Sequence, residues 1–425
     1  MSLPKALMYD NAIKASYAKN FITILNCQNT NNHSTGSTAI INIPCQNNQV
    51  LSWNDCVLKM KMTLSNANAG AADSHLDRAG VAGAIQRIRI FANGVLINDL
   101  DNYGNLVTQL TSFQESHDTL QGKLAVLQGT STDLKGKAIA VAAGGSTSVD
   151  VAFPLMTCLG ASDRYFPTYA LAGGSLRMEI QFVSSVAKFV NTDVALTAAF
   201  DGVQLCANFV ELSDSGIKIV KEASGPNTDF VCSAYTNYVH NATINAAGSQ
   251  LSVPIPARFN SLNALYVTQR EAANANGAAN RFPYDSVKLR LSEYRTQIGS
   301  VVIPTEPPTS VPQFLSEVER ALGSVSNSMS QSSYRLAQIE TEVSANGDAQ
   351  SNCFLVGVET QSYASQPMNS SYSGLNTTQS DIYFRPTYGA TPAGQVAAGD
   401  VRLDAYAMYD QLISISEGGD VSVQY

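Results

Sequence analysis

A chain of 425 residues has room for two or three domains with sizeable cores. Only 14% of it is charged against 44% hydrophobic, and its net charge of −8 comes with no run of Lys or Arg, so the footprint of general nucleic-acid binding is missing. No run of 18 apolar residues spans a membrane, and the N-terminus shows no secretory signal. The polar share falls to Ser, Thr, Asn and Gln, with 29 Gly for turns. That is the composition of an all-β protein with a neutral, hydrogen-bonding surface, suited to broad contact with other subunits because few charges must be desolvated.

In chain order, residues 1–20 carry Lys5, Lys14 and Lys19 among Leu7, Met8, Ile13 and Tyr17. They open an N-terminal arm expected over residues 1–35. One expectation is an amphipathic contact with a membrane or minor proteins, the other an arm ordered by neighbouring subunits. "STAIINI" (Ser37–Ile43) then reads as a strand. In "CVLKMKMTL" (Cys56–Leu64), Val57, Lys59 and Lys61 oppose Leu58, Met60 and Met62. "AIQRIRIFANGVLINDL" puts Ile88 and Ile90 on one face and Arg87 and Arg89 on the other. Asn93-Gly94 then supplies a type I′ hairpin turn. Leu106, Val107, Leu110 and Phe113 fall at helical spacing, so a short helix is expected over Asn102–Phe113.

Further strands are predicted at Ser146–Leu155, Gly174–Val183 and Val203–Leu212. Charge and turn residues gather over 213–229, the predicted boundary. Beyond it, strands are predicted at Phe230–Val239, Gln250–Ile255, Ser261–Val267, Ser286–Leu291, Asn352–Val358, Ser380–Arg385 and Val401–Ile415. The final run, Val421–Tyr425, alternates apolar and polar residues after a Gly418-Gly419 turn, as a strand locked into a sheet would. Between them, Pro312 opens a stretch to Val343 in which Phe314, Leu315, Val318 and Leu322 step at helical spacing, so one or two inserted helices are expected there. The organisation expected is an arm (1–35), a first β domain (36–213), a linker (214–229) and a second β domain (230–425) with a helical insertion near 312–343. Two halves of many short strands point to sandwiches or barrels and to an internal duplication.

Chemistry has little footing. Cys27, Cys45, Cys56, Cys158, Cys206, Cys232 and Cys353 are odd in number with no C-x-x-C, as expected for buried free thiols in a reducing compartment such as a cytosol. His33, His75, His117 and His240 are scattered, with His33 and His75 in polar loops. No G-x-S-x-G elbow, metal-ligand spacing or phosphate loop occurs. No enzymatic activity, catalytic residue, metal site or cofactor is therefore expected. Asp163-Arg164 and Arg281 to Asp285 suit surface pairs of little energetic weight better than salt-bridging corners between subunits. Trp53, the single tryptophan, suits a buried anchor better than a carbohydrate platform, since no aromatic cluster accompanies it.

Four stretches, in order, resemble double jelly-roll major capsid proteins of tailless icosahedral DNA viruses in the adenovirus-like lineage. Gln86–Leu110 is similar to the first-half hairpin and helix, and Gly173–Val183 to a later strand of that roll. Cys206–Asp214 resembles its closing strand, and Leu403–Tyr425 the last hairpin. The Ser-rich helical insertion has no counterpart in this resemblance. What it implies is an all-β fold of two tandem eight-stranded jelly rolls with short helices in the connections. It also implies a structural role: homotrimeric, pseudo-hexagonal capsomers tiling a virion shell. The partners implied are further copies, penton and minor capsid proteins and, through the arm, an internal membrane, with no sequence-specific nucleic-acid binding. The alternatives are a jelly-roll glycan-binding adhesin or spike, and a minor (penton) capsid protein.

Overall fold

The computed structural model describes residues 18–130, 136–162, 164–171, 173–244, 249–277, 281–323, 334, 336–340, 352–362, 373–389 and 400–425. Two expected regions fall largely outside them: residues 1–17 of the arm, and 324–333 with 341–351 around the helical insertion.

The first half contributes strands β1 (Ala18–Asn26), β2 (Thr38–Pro44), β3 (Val57–Asn66), β4 (Ile85–Ala92), β5 (Val95–Asp101), β6 (Ser146–Phe153), β7 (Ser175–Phe182) and β8 (Leu196–Leu212). The second contributes β9 (Asn227–Thr243), β10 (Val253–Ile255), β11 (Leu262–Glu271), β12 (Leu291–Ile298), β13 (Val301–Ile303), β14 (Leu355–Glu359), β15 (Ile382–Tyr388) and β16 (Asp400–Ser416). A closing strand, β17 (Val421–Gln424), lies along β16. The sheets run β1-β8-β3-β6 and β2-β7-β4-β5 in the first half, and β9-β16-β11-β14 and β10-β15-β12-β13 in the second. Counted within its own half, each gives the same pair of strand orders, 1-8-3-6 and 2-7-4-5. That order is the jelly-roll wrapping of an antiparallel chain, and here it occurs twice.

Alternation builds each sandwich. In β3, Leu58, Met60, Met62 and Leu64 are buried while Lys59 and Lys61 point to solvent. The sheets meet through side chains such as Phe182 on β7 and Phe200 on β8, whose rings stack 4.2 Å apart. In the second half, the Tyr294 hydroxyl on β12 donates to the Gly357 carbonyl on β14 across the core. The β4–β5 turn has Asn93 at φ 47° and Gly94 at φ 84°, the left-handed pair that a type I′ turn demands.

Three longer helices accompany the strands: α1 (Tyr103–Gln114), α2 (Asp214–Ser224), which links the halves, and α3 (Val311–Ala321) on the second half. Both α1 and α3 lie in the connection from the fifth to the sixth strand of their sandwich, so the helical insertion and the early helix are counterparts. For α3, Pro312 sits in the first turn and the Gln313 Oε1 accepts from the Thr309 and Ser310 amides. Its Phe314 and Val318 are buried against the second sandwich, packing on Phe354 and on Gly357, where a Cβ would sit 2.7 Å from the Val318 Cα.

Some expectations need correcting. Within the stretch 1–35 expected as an arm, Ala18–Asn26 is a sheet strand paired with β8 from Ala18↔Leu212 to Asn26↔Gln204. Its alternation is hidden because Ile22 and Ile24, 69% and 57% exposed, make its solvent face apolar too. The stretch 213–229 holds α2, capped by the Ser213 hydroxyl, which accepts from the Gly216 amide. The strand expected at Ser286–Leu291 starts only at Leu291, because Leu289 and Arg290 adopt φ 48° and 63° and turn a corner first. His33 is not in an exposed loop: the short strand Asn32–Ser34 pairs with β8 and buries it, its ring 5.9 Å from that of Phe182.

Burial lowers the His33 pKa below its ordinary 6.5, against a smaller opposing effect of the Thr30 backbone. The unfolded chain then binds the proton more readily than the folded one. This contribution is fully present above pH 6.5 and is lost as pH falls from there toward the depressed folded value. In urea unfolding at about pH 8 and about pH 5, His33→Phe is expected to lose less stability on acidification than the parent protein.

Candidate functional site: the junction of the two sandwiches

The densest polar chemistry in the described residues is not at an open cleft but where the two sandwiches meet. Asn102 follows β5 and precedes α1 in the left-handed conformation, φ 50° and ψ 40°, which Asn tolerates better than most residues. That turn aims its side chain at the second sandwich. The Asn102 amide donates to Asn237 Oδ1 (2.8 Å) and Asp404 Oδ1 (3.3 Å), and its own Oδ1 accepts from Arg402 (3.0 Å) and Gln86 (3.0 Å). Its backbone carbonyl accepts from the Tyr406 hydroxyl (3.0 Å). One helical turn on, the Asn105 amide donates to Thr268 Oγ1 (3.0 Å) and to the Tyr406 oxygen (2.9 Å).

Behind Asn102 stands a buried ion pair. The Arg270 guanidinium donates through Nε (3.1 Å) and a terminal nitrogen (2.5 Å) to Asp404 Oδ2, and Arg402 Nε donates to Asp404 Oδ1 (3.1 Å). The side chains of Arg270 and Asp404 are 3% and 0% exposed, so the pair stands out of water. Burial is the largest effect and works against the Arg270 charge, but the Asp404 carboxylate, with smaller help from Tyr406 and Tyr284, outweighs it and holds the guanidinium above its ordinary pKa. The third Arg270 nitrogen is satisfied by the Pro283 carbonyl (3.0 Å).

Tyr284 carries the contact onward. Its amide donates to Asp77 Oδ2 (2.7 Å) and its hydroxyl to the Gly83 carbonyl (2.5 Å), both in the first sandwich. Desolvation by burial raises its phenol pKa, so it remains a neutral donor. At the other end, Gln411 donates to the Ile97 carbonyl (2.7 Å) and Asn93 to the Gly419 carbonyl (2.7 Å). Phe166 and Phe230 meet edge to face at 5.3 Å. The Cys158 and Cys232 thiols are hydrogen-bonded across the same boundary, which with burial raises Cys232 well above an ordinary thiol.

Such an arrangement holds two bodies in one orientation; it offers no open nucleophile or acid–base pair. His75, His117 and His240 stand on separate elements, with His117 paired to Gln121. Among the described residues no group of three or more His, Cys, Asp or Glu could hold a metal ion. Trp53 is buried, its indole N–H donating to the Leu155 carbonyl (3.3 Å). Arg281 pairs with Glu271 (2.5 Å), while Asp285 accepts from Asn352; Asp163 lies outside the described residues. Sequence reasoning missed Asn102, Asp404 and Arg270 as a set. The one available signal was a charged Asp404 and Arg402 inside a strand otherwise rich in Ala and Tyr.

Two sandwiches of identical strand order, locked by a buried junction, define a double jelly-roll fold. The chain is similar over nearly its whole length to three solved viral structures. The PBCV-1 virus capsid is 10% identical over 97% of this chain and 98% of that one, with a TM-score of 0.62. The Faustovirus major capsid protein is 11% identical over 96% and 92%, with a TM-score of 0.61. The mavirus major capsid protein is 11% identical over 100% and 96%, with a TM-score of 0.54. No protein-family model and no curated protein matches the chain.

Removing one side of the buried pair leaves the other charge stranded. Arg270→Leu is expected to cost about 3–5 kcal/mol in denaturant unfolding, and adding Asp404→Asn is expected to recover part of the loss by removing the orphaned charge. A Cβ at Gly104 would run into the Tyr284 hydroxyl and lie 2.7 Å from the Gly83 carbonyl oxygen. Gly104→Ala is therefore expected to lower stability by about 1–3 kcal/mol, although Ala is the better helix former by about 1 kcal/mol.

Proposed function

We propose that this protein is a major capsid protein that self-assembles into homotrimeric, pseudo-hexagonal capsomers tiling an icosahedral viral shell. The observation that carries this reading is the doubled sandwich. One chain supplies two units of the same strand order in a fixed relation, so three chains supply six similar units around a threefold axis. The full-length likeness in fold to capsid proteins of PBCV-1, Faustovirus and mavirus supports it. So does the low charge of the chain, since extended subunit contacts then desolvate few ions.

In this reading the chain works by contact and not by catalysis, and takes no cofactor. Residues 1–17 form the arm, followed by the first roll, a linker around α2 and the second roll. Its partners are copies of itself, then penton and minor capsid proteins and an internal membrane. Its place is the virion, after synthesis in a host cytosol, where seven unpaired thiols would stay reduced.

Native mass spectrometry is expected to show a species of about 136 kDa, three times the 45.2 kDa chain. Negative-stain images of concentrated protein are expected to show hexagonal outlines. A protein that stays monomeric at high concentration overturns the proposal.

A further inference from the structure

Two cysteines meet at the junction, one from each sandwich. Cys158 opens the 3₁₀ turn Cys158–Gly160 of the first, and Cys232 lies on β9 of the second. Both are buried, and their thiols are hydrogen-bonded to each other across the boundary. The backbones are already in contact there. The Ser233 amide donates to the Ala161 carbonyl (3.3 Å), and the Ala161 amide donates to the Cys158 carbonyl (3.2 Å), closing the turn that sets Cys158 beside β9. The surroundings hold both positions. The Cys158 amide donates to Asn98 Oδ1 (3.1 Å) and its thiol to the Ile97 carbonyl (3.6 Å). That same carbonyl accepts from Gln411 (2.7 Å), the cross-strand neighbour of Cys232. A buried free cysteine is ordinarily a small apolar side chain. Two that already touch through sulfur, on separate bodies, form a pair.

We propose that Cys158 and Cys232 are a latent disulfide site which, on oxidation by hydrogen peroxide, ties the two sandwiches together covalently. One thiol loses its proton and its sulfur attacks a peroxide oxygen; the O–O bond breaks, leaving a sulfenic acid, and the released hydroxide takes up that proton as water. The second sulfur then attacks the sulfenic sulfur, the S–S bond forms, and the hydroxyl leaves with the second thiol's proton as water. Two thiols are oxidised and one peroxide is reduced to two waters. Sulfurs in hydrogen-bond contact close to the roughly 2.05 Å of a disulfide by side-chain rotation, with the chains already together. The bond to Cys158 and burial, with a smaller effect of Asp410, raise Cys232 well above an ordinary thiol, so the pair persists as thiols until oxidant is sustained. The consequence is mechanical. Ile97, beside the pair, and Asn102, at the polar cluster, are separated by most of the length of β5, about 16 Å. The bond would therefore pin the junction at a second point and remove any hinge about the Asn102–Asp404 contact. The inference rests on the junction alone and holds whether or not the chain forms trimers.

The test treats the full-length protein, purified under reductant and then freed of it, with hydrogen peroxide at about pH 8 while circular dichroism stays native. Intact mass is expected to fall by about 2 Da, and non-reducing peptide mapping to join the peptides that hold Cys158 and Cys232. Tm is expected to rise by about 5 °C, and dithiothreitol to reverse the rise. Cys158→Ser, or Cys232→Ser where the first does not fold, is expected to lose both the bond and the rise, whereas Cys45→Ser keeps both. A folded parent protein that forms no disulfide, joins a different pair of cysteines, or carries sulfinic acid at either position without the bond overturns the inference, as does a bond that fails to raise Tm.

Discussion

Asp404 is wholly buried, and the relation of the two sandwiches is set by how its charge is satisfied. Two of its donors, Arg270 and Arg402, come from the second sandwich, and Asn102 comes from the first. A buried ion pair contributes little net stability, since desolvation consumes most of the attraction. Its consequence is geometric. Asn102 sits at the mouth of α1, so a rotation of one sandwich against the other would remove a donor from a carboxylate that has no water to replace it. An apolar interface of the same area would tolerate sliding; this one has a single setting.

The same logic explains why counterpart helices look so different. Among the described residues α1 is buried on nearly every side, including Asn105, Thr108, Gln109 and Ser112, because it lies between the sandwiches. Its polar residues are those that can pair locally or across: Thr108 and Ser112 donate to carbonyls one turn back, and Gln109 reaches the Tyr284 carbonyl. By contrast α3 covers an outer face and buries only Phe314 and Val318. Each helix approaches its neighbour through a glycine, Gly104 in α1 against Tyr284 and Gly357 in β14 against α3. A duplicated fold has thus used one connection for two purposes, as clamp and as cover.

Much of the fold is legible in the chain because alternation is a strong signal where one face is wet. The stretches Val57–Asn66, Ile85–Ala92 with its Asn-Gly turn, and Asp400–Ser416 lie close to where the pattern predicts them. The failures have physical causes. In β1 both faces are apolar, so Phe21 and Leu25 do not stand out against Ile22 and Ile24. At Leu289 and Arg290 the chain takes left-handed angles without Gly or Asn, and the corner is held by tertiary bonds: the Val287 amide to Gln269 and the Gly389 amide to Arg290. The junction is illegible for a different reason. Asn102 and Asp404 are 302 positions apart, and no local pattern reports that two polar residues will share one buried site.

The duplication extends to the sheet edges. In both sandwiches the fifth strand ends its sheet, and it follows a turn whose glycine has positive φ, Gly94 in one and Gly299 in the other. Just past each turn stands an exposed apolar pair, Val95-Leu96 and Val301-Val302. Exposed apolar side chains on an edge strand invite contact. In the first sandwich part of that contact is made within the chain, since β5 lies against β9 and its Ile97 carbonyl accepts from Gln411. The duplication thus supplies the same edge twice and the junction uses one of the two copies, just as it uses α1 of the two counterpart helices.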